Sequence, residues 1–559
     1  MNAAFCYKQL KTGSVLFPRT DFVARCAPPK EVGTPTDVYV TNVGALPIRV
    51  FFKFDYPMRG SDYFNFIVSN LTNQTQVTLR YQPATMYIIG GLIVENEYTV
   101  AVQAVVDEIP RGISVATEPF SPGYGVLQFT KRLVYIAQTD SIAVPSVPPS
   151  PPISQRTALA ICTDNQNNLL ATFVDAPSQL SYVVKYTNTG TRLFLAPITV
   201  PSLFTPYAIA TDSNSDIYIA GYERTPGEFG DTITPAVVKL SGTDGSSLRT
   251  SSNYELFGGY FTGIKVTADA VCLCGFTVSD IGIVQSFILS KNLILQDLAL
   301  DRRPAESDPD AGDVSVARAI CVDSLGRLIV VGYTQTSDQL TTSYFMSIYD
   351  PTTLERLLYF KKGGFKQQII GESVALCPDG GVVICGSTSI QLDSVGFVGT
   401  GGLNAFISKY NFSTYTNDDL RNFSGTLPLN WTKLLGSFDS DTTFTMGLGT
   451  AVASQGGIYV VGETSGGIGT FGQMGGIADL FVVKYDASGN QKYLNQNGAT
   501  NFLPFISTTF STSVATNSNN DFFIGGVSDG IRYDQLLNLA APAGAYVPGI
   551  FVSKYSATA

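Results

Sequence analysis

The 559-residue chain contains no histidine. That excludes Ser-His-Asp and Cys-His nucleophilic sites and histidine-ligated metals, and it leaves carboxylate, tyrosine and lysine chemistry. Charge is also scarce. Only 14% of residues are Asp, Glu, Lys or Arg, against roughly 25% in an average globular protein. The balance is acidic, at −10, with no basic cluster, so the footprint of nucleic-acid or anionic-membrane binding is missing. No run of 18 apolar residues occurs. The longest apolar patch, MYIIGGLIV from Met86, is short and broken by glycines, and no membrane span is expected. The opening residues MNAAFCYKQLKTGSVLF show no apolar signal-peptide core. Eight cysteines are too sparse for a disulfide framework and are expected to be reduced.

What the chain does have is 44% apolar residues in a repeating order. Seven copies recur: ALAICTDNQNNLLATF from Ala158, YAIATDSNSDIYIAGY from Tyr207, GIKVTADAVCLCGF from Gly263, ARAICVDSLGRLIVVGY from Ala317, ESVALCPDGGVVICGS from Glu372, LGTAVASQGGIYVVGE from Leu448 and STSVATNSNNDFFIGG from Ser511. Each is two apolar runs around an Asx/Gly turn, the signal of a hairpin. A third run follows every copy: SYVVKY, PAVVKL, QSFILS, SYFMSIY, NAFISKY, DLFVVKY and GIFVSKY. A fourth follows most of them, as TRLFLAP, NLILQDL, ERLLYF and NQKYLNQ. Four strands per repeat, seven repeats and no helical period predict an all-β chain built on a seven-bladed β-propeller.

The last copy ends at GIFVSKYSATA, one strand short. KRLVYIAQTD, Lys131 to Asp140, has the pattern of the other fourth strands. It is expected to close the ring as the outer strand of the last blade, with the propeller spanning 131–559 and its blades starting at 158. Residues 34–122 read as a separate β-sandwich, from short strands with frequent turn signals. Residues 1–33 read as an N-terminal arm.

Two resemblances refine this. The copies resemble the bacterial-type seven-bladed propeller repeat, DxxGNxYVxGxT…FVxKYxxxG, best in GGIYVVGETSGG and DLFVVKYDASGN. Its glycine column is Gly221, Gly275, Gly332, Gly386, Gly462 and Gly526, taken as structural; copy one departs with Phe173, and copy three lacks the Lys-Tyr pair. GGLIVENEYTVAVQAV is similar to the fibronectin type III signature, a Leu six residues before a Tyr, here Leu92 and Tyr98. The resemblance implies a corner hydrogen bond from Tyr98. The early Trp of that family is absent, so Phe52 or Phe54 is expected in its place.

Side chains that could carry chemistry stand within this repeat pattern. Cys272 and Cys274 form a C-x-C pair, but Cys274 and Cys385 share a repeat column with Ala220, Val331 and Val461, and Cys162, Cys321 and Cys377 share one with Ala210. That is where cysteine serves as a small hydrophobe. Asp164, Asp212, Asp323 and Asp379 recur at the turn after the first strand, where Asp bonds its own backbone; calcium binding or catalysis is the alternative. The acidic DRRPAESDPDAGD, Asp301 to Asp313, lacks the EF-hand alternation and reads as a solvated loop. Tyr410 to Lys433 reads as a loop insertion in blade five. It carries the only tryptophan, Trp431, either a partner contact or a staple for its own loop.

No catalytic, cofactor or metal residue is assigned from sequence. The resulting expectation is a non-enzymatic structural and interaction protein: a virion-associated minor capsid or surface component of a large DNA virus, assembled in the host cytoplasm, with capsid proteins as partners. The alternatives are a carbohydrate-binding adhesin on a cell surface, and a propeller hydrolase or lyase using carboxylates or tyrosine.

Overall fold

The computed structural model describes residues 35–41, 48–53, 63–81, 87–89, 96–106, 109–117, 119, 126–135, 159–175, 180–200, 202–227, 231–252, 258–278, 284–292, 303–304, 314–336, 340–393, 402–437, 443–468, 478–497, 499–500, 509–528, 531–532 and 549–556. The chain divides into two compact units, one ending at Pro122 and the other running from Gly123 to Ala559.

The first unit is a sandwich. One sheet holds Thr36–Thr41, Ile48–Lys53 and Tyr87–Ile89; the other has the order Thr75–Tyr81, Tyr63–Asn70, Tyr98–Val106, Ile109–Ile113. Strand alternation selects the core. Phe64, Phe66 and Val68 turn inward with Val100, Val102 and Ala104, and meet Val38, Val50 and Ile89 of the other sheet. Each such large side chain contributes about 1.5–3 kcal/mol relative to exposure. Phe52 sets its edge against Phe64 at 4.9 Å and lies 6.0 Å from Phe66, so it packs into this core. Tyr98 opens its strand and is buried. Leu92 and Phe54 lie outside the described residues.

The second unit contains seven four-stranded antiparallel sheets. Their innermost strands are Ala160–Thr163, Leu203–Thr211, Gly259–Val266, Val314–Val322, Ile369–Leu376, Thr445–Val452 and Thr509–Thr516. Each packs on the next, and the seventh packs on the first. The sheets themselves stay open; the ring closes by packing of one blade on another, which protects most edges. Apolar clusters pack between blades, such as that of Ile329, Tyr344, Met346, Val382, Ile384 and Phe406 joining blades four and five.

The seventh blade borrows its outer strand from upstream. Val126–Tyr135 pairs antiparallel with Gly549–Ser556, from Gly549 opposite Tyr135 to Ser556 opposite Val126. The closing strand therefore starts five residues earlier than expected, and residues 136–140 lie outside the described residues. Two other fourth strands also differ from expectation. In blade three Arg303–Pro304, within the acidic stretch, pairs with Phe287 and Ile288, while most of NLILQDL lies outside the described residues. In blade five the insertion supplies Leu429–Leu435 as a regular strand, after a short helix, Asn417–Arg421, whose Thr416 and Asp419 form a capping box.

A repeated ionic staple ties the blades. Lys185 bonds Asp164 of its own blade at 2.9 Å and donates to the Gly242 carbonyl of the next at 2.7 Å. Lys409 does the same with Asp379 and the Ala487 carbonyl, at 2.5 and 3.1 Å. Blade four uses a different cation from a different position: Arg327, bound to Asp323 at 2.6 Å, donates to the carbonyls of Phe412 and Tyr415 at 2.8 and 2.7 Å. Asp164, Asp323 and Asp379 thus do two jobs. One oxygen accepts turn N–H groups, as Asp164 Oδ1 does from Gln166 and Asn168; the other holds the cation that reaches the next blade. Burial pushes the Asp164 carboxyl up, but hydrogen bonds from Lys185 and Asn168 outweigh it and hold the group below the usual range.

Candidate site in the axial channel

The glycine column has a local cause. Gly221 stands opposite Pro206, yet its neighbour Ala220 stands opposite Ala208, so Tyr207 is an extra residue in the inner strand. This is a β-bulge. The same skip recurs opposite Gly275, Gly332, Gly386, Gly462 and Gly526, and leaves Thr262, Arg318, Glu372, Leu448 and Thr512 as the extra residues. Bulging drives an inner-strand carbonyl onto the glycine. A Cβ would lie 2.0 Å from Thr205 O at Gly221, 2.0 Å from Val316 O at Gly332, 1.8 Å from Ile370 O at Gly386 and 1.9 Å from Met446 O at Gly462. Blade one carries Phe173 in this column, and its described inner strand, Ala160–Thr163, pairs without a bulge.

Each bulge delivers one side chain to the axis. Tyr207, Thr262, Arg318, Glu372, Leu448 and Thr512 line a common cavity of about 310 Å³. Its chemistry is lopsided. Blades six and seven supply Leu448 and Thr512, whereas blades four and five supply a cation and a carboxylate. Arg318 Nε lies 3.5 Å from Glu372 Oε2, with the two side chains 7% and 4% exposed. The guanidinium carbon sits 5.2 Å from the ring centre of Tyr333, within cation–π range.

From Tyr207, which lines the cavity with this pair, a row of aromatic rings runs through blades two and three. Tyr207, Tyr222, Tyr260 and Phe276 follow one another with ring centres 5.8, 5.0 and 4.8 Å apart. Burial, and then the neighbouring Tyr222 and Tyr260, push the Tyr207 hydroxyl well above the ordinary phenol range, while Arg318 opposes the shift. Tyr207 therefore stays protonated, as a donor, at any physiological pH.

The residues singled out from sequence lie elsewhere. Trp431 belongs to the fourth strand of blade five. Its ring packs on Tyr485 at 6.0 Å, its Nε1 donates to Ala487 O at 3.1 Å, and Gly489 leaves room for it. It thus staples the next blade. Cys274 and Cys385 sit just past the bulge, buried; burial pushes the Cys274 thiol up to about 12. Among the described residues no three metal-ligating side chains converge, and no helix is long and apolar enough to cross a membrane. Sequence reasoning missed Arg318 and Glu372, although both stand at the head of their quoted repeat copies, ARAICVD and ESVALCPD.

No family model matches the chain, and no curated protein does. Solved structures do resemble it in fold. A puromycin hydrolase is similar at 12% identity over 70% of this chain, with a TM-score of 0.38; this chain spans about half of it, 54%. An α-L-arabinanase of Penicillium chrysogenum complexed with arabinobiose is similar at 11% identity over 73% of this chain and 96% of that one, with a TM-score of 0.33. The polysaccharide lyase Uly1 is similar at 12% identity over 72% and 90%, with a TM-score of 0.30. These neighbours are hydrolases and a lyase, and none is a virion or capsid protein. They overturn the expectation of a non-enzymatic, virion-associated component with capsid partners.

Proposed function

We propose that the axial channel is the active site of a carbohydrate-cleaving enzyme working by general acid–base catalysis. One observation carries this: among six bulge side chains turned to the axis, the carboxylate and the cation are adjacent and buried, in a cavity that Tyr207 also lines. Pockets of this kind hold a ligand on apolar and aromatic surface and orient it with a few polar groups. A sugar ring offers both an apolar face for Tyr207 and hydroxyls for the polar pair. Glu372, paired with Arg318, is the proton acceptor; Tyr207, held protonated, is the donor to the leaving oxygen. This division suits one carboxylate and one phenol better than the two-carboxylate arrangement of most glycosidases. The sandwich strand order and the glycine column support reading the two units as fibronectin type III-like and bacterial-type repeat modules.

The test is a polysaccharide panel read two ways, as new reducing ends for hydrolysis and as ultraviolet absorbance of unsaturated ends for elimination. Turnover of at least one polymer is expected, falling about 10²- to 10⁴-fold in Glu372→Gln and in Tyr207→Phe. Full activity in both variants, or no turnover of any polymer by the wild type, overturns the proposal.

A further inference from the structure

We infer that the channel takes saccharides bearing a carboxylate, and that Arg318 receives it. The inference rests on the channel being the site just described. Arg318 is the only cationic residue lining the cavity among the described residues. Its side chain is 7% exposed, and its buried Nε has no hydrogen-bond partner. The 3.5 Å approach of Glu372 supplies charge without a hydrogen bond. The guanidinium carbon lies 5.2 Å from the Tyr333 ring centre.

A guanidinium carries five N–H donors in a planar fork, and leaving a buried donor such as Nε unpaired costs free energy. A planar carboxylate is the group that satisfies two of them at once. The chain's net charge of −10 does not steer an anion inward over long range. Selection therefore falls on this one buried cation, and sugars lacking the carboxylate leave its Nε unpaired. Tyr207, which lines the same cavity, takes the ring of the same ligand, so a sugar acid fits where a simple anion or a neutral sugar fits only half the site.

The experiment compares D-glucuronate, its methyl ester and D-glucose as probes, by calorimetric titration of the full chain. Wild type is expected to bind glucuronate about 10- to 100-fold tighter than the ester or glucose. Arg318→Gln is expected to bind all three alike, and Arg318→Lys to keep only part of the preference. The ester comparison needs no variant, so it stands even where a substitution unfolds the chain. Saccharide binding without preference for the free acid overturns this inference and leaves the channel site standing. A preference that survives in Arg318→Gln overturns it too. No binding of any probe, together with no turnover of any polymer, overturns both.

Discussion

The Lys554 ammonium in the last blade donates to the Asn188 carbonyl of the first at 2.9 Å, and its other partner, Asp521, lies 2.9 Å away. This is the same staple that Lys185 and Lys409 make, placed at the seam of the ring. Both side chains are largely buried, 8% and 12% exposed, so removing one charge strands the other. Lys554→Met is expected to destabilise the propeller by about 3 kcal/mol, read as a lowered melting temperature. Adding Asp521→Asn should restore part of that loss, because the stranded carboxylate is gone. A single variant that melts like wild type would show that the seam does not depend on this pair.

Gly386 tests the link from bulge to site. Its Cβ position lies 1.8 Å from Ile370 O, two residues before Glu372. Gly386→Ala must either flatten the bulge or displace the strand, and both move Glu372 off the axis. Expected are a melting loss of more than about 2 kcal/mol and a larger loss of turnover than melting alone explains. Gly425→Ala is the control, since its nearest neighbour, Phe423, lies 3.9 Å away. An active, stable Gly386→Ala protein would separate the glycine column from the channel.

Much of the architecture was legible because every blade repeats one requirement: alternating apolar strands, an Asx turn, and a glycine where a carbonyl crowds. Repetition is what a sequence displays best. The site was hidden for the converse reason. The bulge position reads Tyr, Thr, Arg, Glu, Leu and Thr around the ring, so aligning the copies averages it away. The column that repeats, Gly221 through Gly526, is the support; the column that varies carries the chemistry. Trp431 drew attention by its rarity, yet its indole serves packing between blades. The short fourth strand of blade three, Arg303–Pro304, was missed because two residues give no alternation to read.

The staples also set an acid response. Against the push of burial, hydrogen bonds from Lys185 and Asn168 hold Asp164 below its ordinary value; burial likewise opposes, and hydrogen bonds from Lys409 and Gly381 depress, Asp379. A carboxyl whose folded pKa lies below the unfolded value, about 3.9, binds protons more readily when unfolded. Its stabilisation is complete above that value and is lost as pH falls through the folded pKa. The melting temperature should therefore stay level from neutrality to about pH 5 and drop below about pH 4. Asp164→Asn should melt lower at neutral pH, with the gap to wild type closing as pH falls. A gap that is constant down to about pH 2 would remove Asp164 from the acid response.

The closing strand makes the most far-reaching claim on stability, since it joins residues more than 400 positions apart. Without Val126–Tyr135 the last blade has three strands, and Gly549–Ser556 presents an unpaired edge. An open edge of this kind invites pairing with another chain. A protein beginning after Tyr135 is expected to melt well below the full chain and to self-associate, as measured by calorimetry and light scattering. Supplying Val126–Tyr135 as a separate peptide should raise the melting temperature and suppress association, because the ladder needs the strand's backbone rather than its covalent connection. A truncated protein that stays monomeric and melts like the full chain would mean that packing of the seventh blade on the first holds the ring without this strand.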